Sequence, residues 1–122
     1  DAIVIKTVVE EMRYDVPEFT VTAGTSVTIL FDNEDFTPHN LVIGQPGSGE
    51  SIGSAADALG AEGFARRFIP NSYEIIVASE LLNHGKFQVL TFRAPSEPGV
   101  YDILCTFPGH RGTMRGTMTV EN

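Results

Sequence analysis

Cys105, His110 and Met114 stand at i, i+5 and i+9 within Cys105-Thr106-Phe107-Pro108-Gly109-His110-Arg111-Gly112-Thr113-Met114, between two strand-like stretches. This segment holds the single cysteine of the chain, one of its three histidines and one of its three methionines. Three soft or borderline donors on one short loop suggest a metal. A thioether is a poor ligand for zinc, calcium or magnesium but serves copper as a weak axial ligand, so thiolate, imidazole and thioether together favour copper. A complete set needs a second imidazole from elsewhere, and Pro38-His39-Asn40 offers one. Taken singly, each residue has a plainer role: Cys105 as a small core hydrophobe, His39 as a satisfied loop histidine, Met114 as core filler. Their joint spacing favours ligation. His84 lies in the polar turn Asn83-His84-Gly85 and reads as an exposed structural residue, Met118 as core, and Met12 as having no ligand-like company.

The elements that must position these donors read as short strands. Ile3 to Val9 is rich in β-branched residues, and Pro17 to Thr22 alternates apolar with polar. Ala23-Gly24-Thr25 then makes a turn before Ser26 to Phe31, a pair of strands that points to an antiparallel sheet. Asp32-Asn33-Glu34-Asp35 ends the second strand. Phe36-Thr37-Pro38 leads into His39 to Ile43, where Pro38 restricts Thr37 to extended geometry and cannot donate to a ladder. From Gly44 to about Gly85 the chain changes character: a flexible Gln45 to Gly49 connector, a short helix expected over Ser54 to Ala61 from its alanines, then a short strand over Tyr73 to Val77. Strands return at Lys86 to Arg93, Val100 to Cys105 and Gly116 to Val120. Seven or eight short strands with Gly/Pro turns indicate an all-β, two-sheet sandwich carrying a short helix in a long insertion at about 44–85. Loops of a sandwich collect at its two ends, which lets His39 meet Cys105 across 66 residues of sequence.

The segments Phe36 to Ile43, and Tyr101 to His110 through Met114-Arg115-Gly116, resemble the blue-copper cupredoxins, those of azurin and auracyanin type most of all. The Cys-x4-His-x3-Met spacing is similar to the azurin loop rather than to the shorter plastocyanin loop, and the likeness extends over most of the strand framework. The resemblance implies a Greek-key cupredoxin sandwich and one mononuclear Cu(II)/Cu(I) ion held by His39, Cys105 and His110, with Met114 as weak axial ligand. It further implies that Asn40 ties its loop to the Cys105 loop around Thr106, and that backbone amides near Asn40 and Phe107 point at the Cys105 sulfur. Two departures stand out. Azurin has a glycine where Pro38 stands, whose carbonyl approaches the metal, and the azurin disulfide has no counterpart in a chain with one cysteine.

Electron transfer is the function implied, with His110 near solvent beside an apolar docking patch of Phe36, Pro38, Phe107 and Pro108. The partners implied are redox proteins, such as a cytochrome or a membrane or periplasmic oxidoreductase, in a periplasmic or otherwise extracytoplasmic setting. The formal charge of −8 disfavours nucleic acid or an anionic membrane as partner. No apolar run approaches the roughly 20 residues of a membrane span, and the N-terminus lacks the basic start and apolar centre of a signal peptide. The 122 residues read as one domain, either a mature secreted form or an excised one. Rival readings are an electron-relay domain of a larger redox enzyme, a cysteine nucleophile paired with His39 or His110, and a zinc-binding or metal-free structural module. A catalytic copper centre built by this chain alone is disfavoured, because His84 is the only histidine to spare.

Overall fold

The computed structural model describes residues 2–122. Its eight strands are β1 (Ile3–Lys6), β2 (Glu18–Thr22), β3 (Ser26–Asn33), β4 (Val42–Gly44), β5 (Ile75–Ala78), β6 (Lys86–Arg93), β7 (Gly99–Leu104) and β8 (Arg115–Glu121). They form a three-stranded sheet, β1-β3-β6, and a five-stranded sheet, β2-β8-β7-β4-β5. Alternation drives the stacking. In β3 the residues Val27, Ile29 and Phe31 are buried while Thr28, Leu30 and Asp32 lie nearer the surface, and Leu90 joins them from β6. Tyr101, Ile103, Met118 and Val120 face them from the second sheet, and one continuous core results.

The Ala23-Gly24-Thr25 turn does not close a hairpin. β2 runs parallel to β8, whereas β3 lies in the other sheet, parallel to β1 and antiparallel to β6. The physical reason is that Phe19 and Val21 pack on the same core as Val27 and Ile29 from the opposite side, so the turn carries the chain from one sheet to the other. Parallel pairing of β2 and β8 brings backbones close together at Gly116. A Cβ there would stand 1.9 Å from the Pro17 carbonyl oxygen, which the Thr117 amide already uses at 2.8 Å.

The helix also sits earlier than alanine content suggests. α1 spans Gly49–Asp57, followed by a single 3-10 turn at Gly60–Glu62. Ser48 takes the N-cap position and Glu50 lies in the first turn, while Ile52, Gly53 and Ala56 form the buried face. Ile52 packs with Val42 and Leu104 on the outer face of the second sheet. Burying a side chain of that size contributes about 1.5–3 kcal/mol, comparable with the cost of about 2 kcal/mol for two glycines in a helix. Val42 and Leu104 are thus covered by the helix and Ile43 and Ile103 by the core, which is why β4 and the end of β7 read as unbroken apolar runs. No helix among the described residues is long and apolar enough to cross a membrane.

Candidate metal centre

The antiparallel register of β4 with β7 builds the site. Val42 pairs with Leu104 and Ile43 with Ile103, so the same register continued beyond the ladder sets Leu41 across from Cys105 and Asn40 across from Thr106. At that point side chains take over from the backbone ladder. The Thr106 amide donates to Asn40 Oδ1 at 2.8 Å, and Asn40 Nδ2 donates to Thr106 Oγ1 at 2.8 Å. His39 is pinned separately by a reciprocal backbone pair with Leu82, at 3.1 and 2.9 Å. Between β7 and β8 the loop closes on itself: the Met114 amide donates to the His110 carbonyl at 2.9 Å and the Cys105 amide to the Met114 carbonyl at 3.0 Å.

These constraints bring three donor atoms together. Cys105 Sγ lies 3.8 Å from His39 Nδ1 and 3.7 Å from His110 Nδ1, and the two nitrogens are 3.1 Å apart. A point equidistant from all three is about 2.1 Å from each, inside the ~2.0–2.3 Å range of imidazole and thiolate bonds to a small first-row ion such as zinc. Met114, fully buried, follows four residues after His110 and belongs to the same core cluster as Cys105. The donor set therefore fits a metal, and a thioether in company with a thiolate suits copper better than zinc.

Electrostatics point the same way. Burial pushes the Cys105 thiol up to about 11, against the lowering effect of the Asn40 and Phe107 amides that donate to its sulfur. A thiol of that kind is protonated at neutral pH, and a bound cation is what makes it a thiolate. Both imidazoles are shifted down, His39 by burial against the opposing pull of Asp35, His110 by burial and then by His39. They are neutral at pH 7 and present lone pairs.

Two supports were not read from the sequence. Asp35, 4% exposed, places Oδ2 2.8 Å from His39 Nε2. Burial alone would raise its carboxyl, but hydrogen bonds from His39 and from the Glu10 and Phe36 amides bring it below its ordinary value. A carboxylate four residues before a candidate histidine ligand was the available signal, masked because Asp after a strand is an ordinary turn residue. The second support is the Arg67-Phe68 segment, whose residues adopt left-handed φ values of 58° and 53°. Its carbonyls accept from Asn40 Nδ2 at 3.1 Å and from Thr106 Oγ1 at 2.6 Å. Backbone strain here completes the Asn40–Thr106 clamp. Gly63 makes room for it, since a Cβ there would meet the Phe68 ring at 2.0 Å.

The surface over the site is aromatic. Phe107 packs 4.8 Å from the His110 ring and makes edge-to-face contacts with Phe64 and Phe68. His110 itself is only 5% exposed, so its solvent-facing edge is narrow; Phe64 is 65% exposed and Pro108 is exposed too. Pro38 is half-buried, and Phe36, 69% exposed, stacks on His84 at 4.6 Å.

A β-sandwich that closes a cysteine sulfur and two imidazoles at one end, with a methionine on the loop of the cysteine, defines a small metal-binding protein of the cupredoxin type. Comparison with known proteins narrows the class. Residues 2–121 match the model of the copper binding proteins, plastocyanin/azurin family, and the chain belongs to that family. Auracyanin-A of Chloroflexus aurantiacus is 37% identical over 114 residues, covering 92% of this chain and 69% of that protein. Azurin of Pseudomonas aeruginosa is 30% identical over 93 residues, covering 69% of this chain and 63% of that protein. Among solved structures, dithionite-reduced auracyanin from Roseiflexus castenholzii superposes with a TM-score of 0.90 at 35% identity, over 99% of this chain and 97% of that one.

Proposed function

We propose that residues 1–122 work as one copper-binding unit that carries single electrons, with His39, Cys105 and His110 as equatorial ligands and Met114 as weak axial ligand. The observation that carries this reading is the meeting of Cys105 Sγ with two Nδ1 atoms at metal-binding spacing. Copper, when bound, supplies the one-electron Cu(II)/Cu(I) couple. The chain's own residues keep the donors in place in both oxidation states. Asn40, Thr106 and the Arg67-Phe68 carbonyls lock the two ligand loops together, and the amides of Asn40 and Phe107 donate to sulfur, which tunes the potential. Little rearrangement is then needed when the electron arrives or leaves.

Phe36, Pro38, Phe107 and Pro108 form the proposed docking patch, extended by Phe64 through its contact with Phe107. Electrons pass by way of His110, whose ring lies against Phe107. The partners are redox proteins, a cytochrome or a membrane or periplasmic oxidoreductase, met outside the cytoplasm. Copper titration tests the central reading. One equivalent of Cu(II) should produce an intense band near 600 nm or below, the rough range for a Cu–thiolate site, and Cys105→Ser should abolish it. A colourless protein that retains zinc, or catalytic turnover of oxygen or nitrite by this chain alone, would reject it.

A further inference from the structure

We propose that Asp35 is a positioning residue for the metal centre: its buried carboxylate selects the tautomer of His39 that offers a bare Nδ1 and, by its charge, favours Cu(II) over Cu(I). The inference rests on the reading of His39 as a copper ligand, but the first half of it can be tested without copper.

Asp35 uses its two oxygens differently. Oδ1 accepts the amides of Phe36 at 2.9 Å and Glu10 at 3.1 Å, while Oδ2 faces His39 Nε2 at 2.8 Å. An ionised carboxylate only accepts, so Nε2 must carry a proton. A neutral imidazole has one such proton, which leaves Nδ1 bare toward Cys105 Sγ and His110 Nδ1. The Thr37 hydroxyl, 3.0 Å from the same Nε2, either donates or accepts and so cannot make this choice by itself.

An asparagine would reverse the choice. With both partners of Oδ1 being N–H donors, the single amide oxygen of Asn would take that place and turn its NH2 group toward Nε2. His39 would then accept at Nε2 and carry its proton on Nδ1, facing the metal position. Only a group with two accepting oxygens satisfies the loop and the histidine together. The polypeptide supports this arrangement from below: the Asp35 amide donates to Asn33 Oδ1 and Thr7 Oγ1, each at 3.1 Å, and Thr7 Oγ1 donates to Asn33 Oδ1 at 2.8 Å. Among the described residues His39 is the one basic group that pairs with the Asp35 carboxylate. Its negative charge therefore acts through the imidazole, making His39 a stronger donor and stabilising the more highly charged ion.

Nitrogen-15 NMR of the histidine rings at pH 8 decides the first part. In the copper-free wild type His39 should hold its proton on Nε2, and a proton on Nδ1 would overturn the proposal. Asp35→Asn should move that proton to Nδ1 in the copper-free protein, weaken Cu(II) binding about 10- to 100-fold and raise the midpoint potential. Each tenfold loss of Cu(II) relative to Cu(I) affinity corresponds to 59 mV. A folded Asp35→Asn protein with unchanged tautomer and unchanged potential would refute the assignment. Thr37→Ala should leave both readouts where they are, and a tautomer switch in that variant would give the role to the hydroxyl instead. Failure of the wild type to bind copper at all would reject the proposed function, while the tautomer measured without metal would still stand or fall by itself.

Discussion

The thiol of Cys105 carries a proton at neutral pH because burial lifts it to about 11, whereas burial lowers both His39 and His110 and leaves them unprotonated. Copper uptake at pH 7 should therefore release about one proton, all of it from Cys105. Calorimetry in two buffers of different ionisation enthalpy measures this, and zero release would mean that the thiolate is already formed. Affinity should rise about tenfold per pH unit until the thiol value is approached. The copper-free fold responds in the opposite direction. A folded value above the unfolded thiol's ~8.5 means stability is full below that pH and is lost as pH climbs toward about 11. At this scale the donors were legible in the sequence, since a lone cysteine, a histidine and a methionine at fixed spacing have few other reasons to coincide. Asp35 was not, because its one local signal, a carboxylate four residues before His39, is masked where aspartate after a strand is an ordinary turn residue.

Two ligand-bearing loops are joined by Asn40, whose side chain makes three hydrogen bonds, to the Thr106 amide, the Thr106 hydroxyl and the Arg67 carbonyl. Asn40→Ala strands the buried Thr106 amide on the Cys105 loop and removes the bonds to the Thr106 hydroxyl and the Arg67 carbonyl, and should destabilise the copper-free protein by about 2–4 kcal/mol, read from denaturant midpoints. A loss below about 1 kcal/mol would show that the clamp is not what joins the loops. The ligand loop is also fastened to α1, where Arg111 donates to Glu50 at 2.9 Å and Asp57 at 2.8 Å. Arg111 holds the Glu50 carboxyl below its ordinary value, so this contact stabilises above the unfolded carboxylate range and fades as pH falls through the folded value. Between about pH 5 and 3 the wild type should lose an increment of stability that Arg111→Ala never had, visible as converging melting curves. This element was misplaced from sequence for a physical reason. Alanine content favours Ser54 to Ala61, but the Ile52 contact with Val42 and Leu104, and the space that Gly53 leaves for Arg111, draw the helix to Gly49–Asp57.

For the whole molecule, the proposed function would divide partner choice between a net charge of −8 and the aromatic surface beside His110. Long-range charge sets how fast a basic partner arrives, and the apolar surface sets whether it seats closely enough for an electron to pass. A charge introduced into the proposed docking patch, as in Pro38→Glu, should slow electron self-exchange severalfold while leaving the copper absorption band in place. Line broadening in mixtures of oxidised and reduced protein measures the rate, and an unchanged rate would move the docking surface elsewhere.

Strand alternation and turn residues determined by themselves that this is a two-sheet β-sandwich, and the Cys-x4-His-x3-Met spacing that its last loop holds candidate metal donors, because those patterns are local; the cupredoxin type was implied by resemblance. The tertiary structure decided what a local pattern leaves open. A Gly turn serves equally well to close a hairpin or to pass between sheets, and the shared core chose the second for β2 and β3. Likewise His39 and Cys105 are 66 residues apart, and their meeting follows from the register of β4 on β7. The loop 105–114 carries three of the donors. The geometry of the fourth, and the carboxylate behind it, belong to contacts between segments that no spacing along the chain encodes.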